Sequence, residues 1–148
     1  MEVLPHFWIG YYKENFGIIK EKKFKNIIHL SKYEQFTKKY DTEEIRIPID
    51  YDDNQSLEEQ NNVMYQQLYD ITDYIHDKIT NNQTVLLLGY SSKQDIDTII
   101  IAYYIRYARL TIYDSILFLG SKKKNIFNPK CYFYYSLNKF YSELNKNY

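Results

Sequence analysis

Between residues 57 and 79 the apolar positions fall at three- and four-residue intervals. Val63, Met64, Leu68, Ile71, Ile75 and Ile79 form one stripe, the period of an amphipathic helix. Asp70, Asp73 and Asp77 share another face of that helix, its solvated side. Asn81-Asn82 makes a turn, and Thr84–Leu88 follows as an apolar run of strand length, of the kind buried on both faces of a sheet. The next segment, 97–109, is apolar nearly all round and predicts a central buried helix. Thr111 with Asp114 can cap a further helix, which runs to about Leu119 and stops at Gly120. Tyr132 to Leu144 predicts the last helix. Upstream, Val3–Ile9, Ile27–Leu30 and Glu44–Ile49 read as short strands. Strands interleaved with helices imply an α/β fold, with a central and mostly parallel β-sheet flanked by helices. No linker, repeat or low-complexity tract divides residues 1–148, so a single domain is expected.

The chemistry-bearing stretch joins the apolar strand to the central helix: Val85-Leu86-Leu87-Leu88-Gly89-Tyr90-Ser91-Ser92-Lys93-Gln94-Asp95-Ile96. A strand, a tight loop and a helix entered through Asp95 to Thr98 bring backbone N–H groups and a helix N-terminus together. That geometry normally cradles an anion. This loop holds no cysteine, arginine or histidine, and an aspartate stands at its mouth.

The stretch resembles the signature of the dual-specificity, cysteine-dependent protein phosphatases: an apolar strand, His-Cys, five loop residues, Arg, and a hydroxyl residue opening a helix. On that pattern the nucleophilic cysteine falls on Gly89 and the preceding histidine on Leu88. The loop glycine falls on Ser92, the phosphate-gripping arginine on Asp95, and the hydroxyl residue on Ile96. Val3 to Gly10 (VLPHFWIG) resembles the family's opening strand, Phe24 to Ser31 (FKNIIHLS) its next one, and Ile47-Pro48-Ile49-Asp50 the approach to its general-acid loop. Thr111 to Ser115 resembles the start of the helix after the signature helix. Asn128-Pro129 with Phe133, Leu137 and Phe140 resembles the start of its last helix. These matches keep their order from residue 3 to about 141.

The resemblance implies a mechanism in which a thiolate attacks phosphorus, an arginine grips the phosphate oxygens in a bidentate way, and an aspartate on another loop protonates the leaving group. Without the sulfur no covalent intermediate forms, and Ser91 and Ser92 have no nearby base. Exchanging a cation for Asp95 changes the site charge by two units. A unit pair about 4 Å apart is worth roughly 4 kcal/mol at an effective dielectric of 20, so attraction for phosphate should become repulsion. The family's general acid falls on Tyr51, between Asp50 and Asp52. The chain is thus identified as a Styx-like pseudophosphatase, not an enzyme, whose degenerate loop comprises Leu88, Gly89, Tyr90, Ser91, Ser92, Lys93, Gln94, Asp95 and Ile96.

Composition narrows the partners. Nineteen basic and 19 acidic residues cancel, which gives no bulk-charge reason for a nucleic-acid or membrane partner. The runs 20–23 (KEKK) and 122–124 (KKK) read as solvated loops or helix ends. One cysteine, Cys131, forms no internal disulfide and fits a reducing compartment. Its position matches an ordinary core aromatic of the family. No basic-then-apolar leader precedes Pro5, so an intracellular, cytoplasmic setting is expected. Eighteen tyrosines with abundant Asn, Lys and Ile suggest an AT-rich genome, and a small poxviral relative fits that bias. No cofactor is expected. His6, His29 and His76 are scattered, and no His/Cys spacing suggests zinc. Asp50, Asp52 and Asn54 resemble a calcium loop, but Gln55 stands where glycine is needed and Asn61 where a bidentate glutamate is needed.

The expected role is protein–protein interaction, as a competitor, anchor or scaffold. Three rivals stand beside it. One is a phospho-ligand module using loop N–H groups and Lys93. Another is an enzyme of different chemistry, needing Asp95, Tyr51 and Asp52 in one pocket. The third is a structural oligomer, such as a homodimer, built on tyrosine-rich faces near Tyr103, Tyr107, Tyr132 and Tyr134.

Overall fold

In a computed structural model of the chain, residues 1–14, 22–37, 41–49, 54–128 and 130–146 are described. The five residues Val85–Gly89 are all buried and form the middle strand, β5. Its neighbours are β2 (Phe7–Tyr11) and β3 (Asn26–His29), and the sheet is completed by β1 (Glu2–Leu4) and β4 (Glu43–Arg46) in the order β1-β2-β5-β3-β4. Only the β1–β2 pair is antiparallel; β2–β5, β5–β3 and β3–β4 run parallel. Strand alternation explains why β5 is apolar throughout. Val85 and Leu87 enter the large core, while Leu86 and Leu88 meet Trp8, Tyr12, Phe24 and Ile27 on the opposite face.

Among the described residues the helices are α1 (Leu57–Thr80), α2 (Asp95–Tyr107), α3 (Ile112–Gly120) and α4 (Tyr134–Asn145). The predicted stripe of α1 is its packing face, with Met64, Leu68, Ile71 and Ile75 all fully buried. Asp70, Asp73 and Asp77 are exposed, as the helical period requires. Ser56 accepts a hydrogen bond from the Glu59 N–H at 3.1 Å and caps the helix start, and Glu58 and Glu59 complement its positive end. The predicted Thr111 cap is also formed, with Oγ1 accepting from the Asp114 N–H at 3.1 Å. Central helix α2 is buried continuously from Asp95 to Ile105. Among the described residues no helix is long and apolar enough to cross a membrane.

Two details depart from the sequence reading. The single strand expected over Val3–Ile9 is a hairpin, because His6 takes a positive φ of 70° and reverses the chain between β1 and β2. Asn61, polar and in the apolar region of α1, is 2% exposed. Its Nδ2 donates to the Tyr132 carbonyl at 2.9 Å, and its Oδ1 accepts from the Ser136 N–H at 2.9 Å and the Ser136 hydroxyl at 2.6 Å. The side chain thereby fastens the entry of α4 against α1. Leu68→Ala should lower the unfolding free energy by about 2–5 kcal/mol, the cost of a cavity at a fully buried leucine, as measured by urea titration followed by far-UV circular dichroism.

Candidate functional site

β5 delivers the loop to the carboxyl edge of the sheet, where the Gly89 carbonyl accepts from the Tyr12 N–H at 2.9 Å. Tyr90 turns away from the loop mouth. Its hydroxyl donates to Glu34 Oε1 at 2.7 Å, and its ring lies 5.1 Å from that of Tyr12. A turn from Tyr90 to Lys93, closed by the Lys93 N–H on the Tyr90 carbonyl at 3.1 Å, leads into α2. Ser92, which stands at the family's glycine position, has no positive φ. Gln94 precedes the helix without capping it. Instead its Nε2 donates to the Lys130 carbonyl at 2.7 Å and its Oε1 accepts from the Tyr132 N–H at 2.9 Å. One carboxamide thus clasps the α3–α4 connection to the loop.

The position expected of a nucleophile is tightly packed. A β-carbon placed on Gly89 would lie 3.0 and 3.2 Å from Cγ1 and Cδ1 of Ile96, and 3.4 Å from Leu30 Cδ1. Ile96 is 1% exposed, so its side chain fills the space beside Gly89 that a polar loop would leave open. The helix end is occupied as well: Asp95 and Asp97 stand in the first turn of α2, where their charges complement its positive pole.

A cleft of about 550 Å³ opens beside the loop, lined by Ser91, Ser92, Lys93 and Gln94 on one side and Lys123, Lys124 and Tyr132 on the other. Asp95 was expected at this mouth; it is 5% exposed and is not among the described lining residues. Its side chain is buried at the start of α2. Among the described lining residues are three lysines, Lys93, Lys123 and Lys124, and one aspartate, Asp97. Lys123 Nζ donates to Asp97 Oδ1 at 2.6 Å and to the Tyr11 hydroxyl. Burial opposes the Lys123 charge, but Asp97 and Tyr11 outweigh it and hold the ammonium pKa above the usual lysine value. Burial raises the Tyr11 pKa, so both partners keep their ordinary protonation at neutral pH. On the outer rim Ser91 donates to exposed Glu14 at 2.6 Å.

The backbone that presents Lys123 is itself constrained. Asn125 and Phe127 take positive φ values of 61° and 55°. For a bulky residue such as Phe127 that conformation is costly, and burial of its ring at 7% exposure holds it there.

The remaining expected residues scatter. Asp50, Tyr51 and Asp52 lie outside the described residues, so the acid loop enters no geometry here. Cys131 is half-buried and packed on the main core; burial pushes its thiol up to about 11. Tyr103, expected on an adhesive face, is 5% exposed, stacked edge-on to Phe7 and bonded through its hydroxyl to His76 Nδ1 at 2.9 Å. A face built on Tyr103 therefore does not exist, whereas Tyr132 and Tyr134 are exposed. Among the described residues no cluster of His, Cys, Asp and Glu could hold a metal ion.

Sequence reading missed a buried relay on the other side of the loop. His29 Nδ1 meets the Tyr12 hydroxyl at 2.7 Å and its Nε2 meets Glu44 Oε1 at 2.8 Å. Burial dominates and lowers the His29 pKa despite Glu44. The neutral ring is packed between Tyr12 and Phe36. It pins the strand ends from which the loop departs. A histidine set between Ile27-Ile28 and Leu30 in FKNIIHLS was the available signal.

Two outcomes follow from this packing. Adding Ile96→Ser to a Gly89→Cys variant should raise aryl-phosphate hydrolysis above that of Gly89→Cys alone by at least about tenfold, a barrier change of 1.4 kcal/mol, because the serine vacates the space beside residue 89. Alkylation of Cys131 by iodoacetamide at pH 8 should be slow in the folded protein and rise sharply in urea, since the thiolate is the reactive form; mass spectrometry reads both.

No family model matches the chain, and no curated protein matches its sequence. Solved structures do match. Human DUSP28 superimposes with a TM-score of 0.78 at 14% identity, covering 99% of each chain. A mouse putative dual specificity phosphatase complexed with zinc tungstate gives 0.76 at 14% identity, covering 99% of this chain and 88% of that one. The human tyrosine phosphatase-like serine/threonine/tyrosine-interacting protein gives 0.73 at 14% identity, over 96% and 95%. These neighbours correct the expectation that the chain is not an enzyme: they include named phosphatases, so the architecture is one on which phosphatases are built, and the exclusion of catalysis does not stand. Strand order, the loop between β5 and α2, and full-length superposition agree that this chain has the dual-specificity phosphatase fold.

Proposed function

We propose that this domain acts by protein–protein interaction, seating an anionic segment of a partner protein in the cleft beside the β5–α2 loop. It would serve as a competitor for, or an anchor of, proteins that such segments recruit. The observation that carries this reading is the cleft of about 550 Å³, whose described lining residues include three lysines and one aspartate. The lysines attract negative charge over several ångströms in a partly desolvated groove. Tyr11, Tyr132 and Phe133 supply aromatic wall for the side chains around that charge.

Other features support binding as the cleft's main task. The loop position that matches the family's nucleophile is Gly89, with Ile96 packed against it. One structural neighbour is named an interacting protein, and another was solved with zinc tungstate, which makes tungstate a sensible probe. Titration of a peptide rich in Glu and phosphotyrosine should give saturable heat by calorimetry at low salt, and the same peptide with Gln and Tyr should give little. Raising salt to 0.5 M should weaken the first interaction, because exposed charges are screened within a few ångströms. Equal binding of both peptides, or none of either, would refute the reading.

A further inference from the structure

We propose that a second copy of this chain docks on the exposed face of α3, the two helices running antiparallel about a two-fold axis near Leu117 and Phe118. This surface is separate from the cleft, and neither proposal depends on the other.

The outward positions of α3 differ in kind from those of α1. On α1 the exposed residues include Asp70, Asp73 and Asp77. On α3 they include Tyr113, Leu117 and Phe118, exposed by 70%, 55% and 41%, while Ser115 and Leu119 on the opposite side are buried. Single exposed apolar residues are ordinary, but three on one helix face form a patch of the kind that marks an interface. Residues four apart stand one above the other on a helix, so the face carries two rows. One is Asp114, Phe118 and Lys122; the other is Tyr113, Leu117 and Ser121, with Gly120 beside it. The Lys122 ammonium lies 5.4 Å from the centre of the Phe118 ring, which carries the first row past the helix end.

Both rows fit their own reversal. An isologous interface uses one patch twice, so an antiparallel two-fold pair sets each row against the same row read backwards. Asp114 of each copy then faces Lys122 of the other, with the two Phe118 rings between these charge pairs. In the second row the bulky Tyr113 faces the small Ser121 and Gly120. A β-carbon placed on Gly120 would lie 3.9 Å from Ile126 Cδ1, so the surface there is open to an incoming ring. An unrelated partner would have to supply the order acid, ring, base independently; a second copy supplies it by symmetry. One helix pair lies at the small end of specific interfaces, so the dimer is weak and reversible.

Sedimentation equilibrium of the full chain from about 5 to 500 µM, the range that reads a micromolar constant, tests this. Wild type should rise from the mass of one chain toward that of two. Leu117→Glu should weaken association by at least about tenfold, because it buries a charge in the centre of the patch. Gly120→Leu should weaken it as well while melting no lower than wild type, since leucine is the better helix former. Asp114→Lys and Lys122→Asp should each weaken the dimer by about three- to thirtyfold, because like charges then meet at both ends. Mixed in equal amounts, those two variants should associate more tightly than either alone, since every lysine of one chain then faces an aspartate of the other. Thermal melts confirm that each variant is folded. A wild type that stays monomeric at about 500 µM, or a dimer that tolerates Leu117→Glu, would overturn the inference. So would charge variants whose mixture associates no better than each does alone.

Discussion

The structure depends on burying one strand on both faces and both edges. β5 has a parallel neighbour on each side and a packed layer above and below, so every side chain from Val85 to Leu88 must be apolar. Its termination is equally fixed: at Gly89 the chain leaves the sheet, turns over Tyr90–Lys93 and enters α2. Each of the features described around the cleft is referred to that exit point. Tyr90 and the Tyr12–His29–Glu44 relay hold it from the second face of the sheet, and Gln94 ties it to the α3–α4 connection.

The loop's centre is tightly packed, and charge pairing has built something beside it. Ile96 stands against Gly89, and the first turn of α2 is acidic. The compensating cation comes from Lys123, presented by a connection whose positive-φ residue Phe127 is held by burial. The low exposure of the Lys123–Asp97 pair keeps its geometry fixed, since neither group can swing into water without leaving the other uncompensated.

Much of this was legible in the sequence where local pattern decides the outcome. The α1 stripe, the all-apolar β5, the buried α2 and the Thr111 cap each follow from a few neighbouring residues. So did the assignment of the loop, because a strand, a short polar turn and a helix start lie side by side in the chain. What was not legible depended on contacts between distant residues. Asp95 reads as an obstacle at the loop mouth until the fold buries it at the start of α2. Lys123 reads as part of a solvated basic run until the fold places it against Asp97, 26 residues earlier. His29 looked like a stray histidine because its partners, Tyr12 and Glu44, lie 17 and 15 residues away. The hairpin at His6 was hidden for another reason: a positive φ at a histidine leaves no strong sequence mark.

Amide chemical-shift mapping with tungstate and then with a phosphotyrosine peptide tests whether the cleft beside the loop receives a ligand. Shifts clustered at Ser91–Gln94, Lys123 and Lys124 with both probes are expected. Shifts confined to the exposed apolar face of α3, at Tyr113, Leu117 and Phe118, would contradict that expectation.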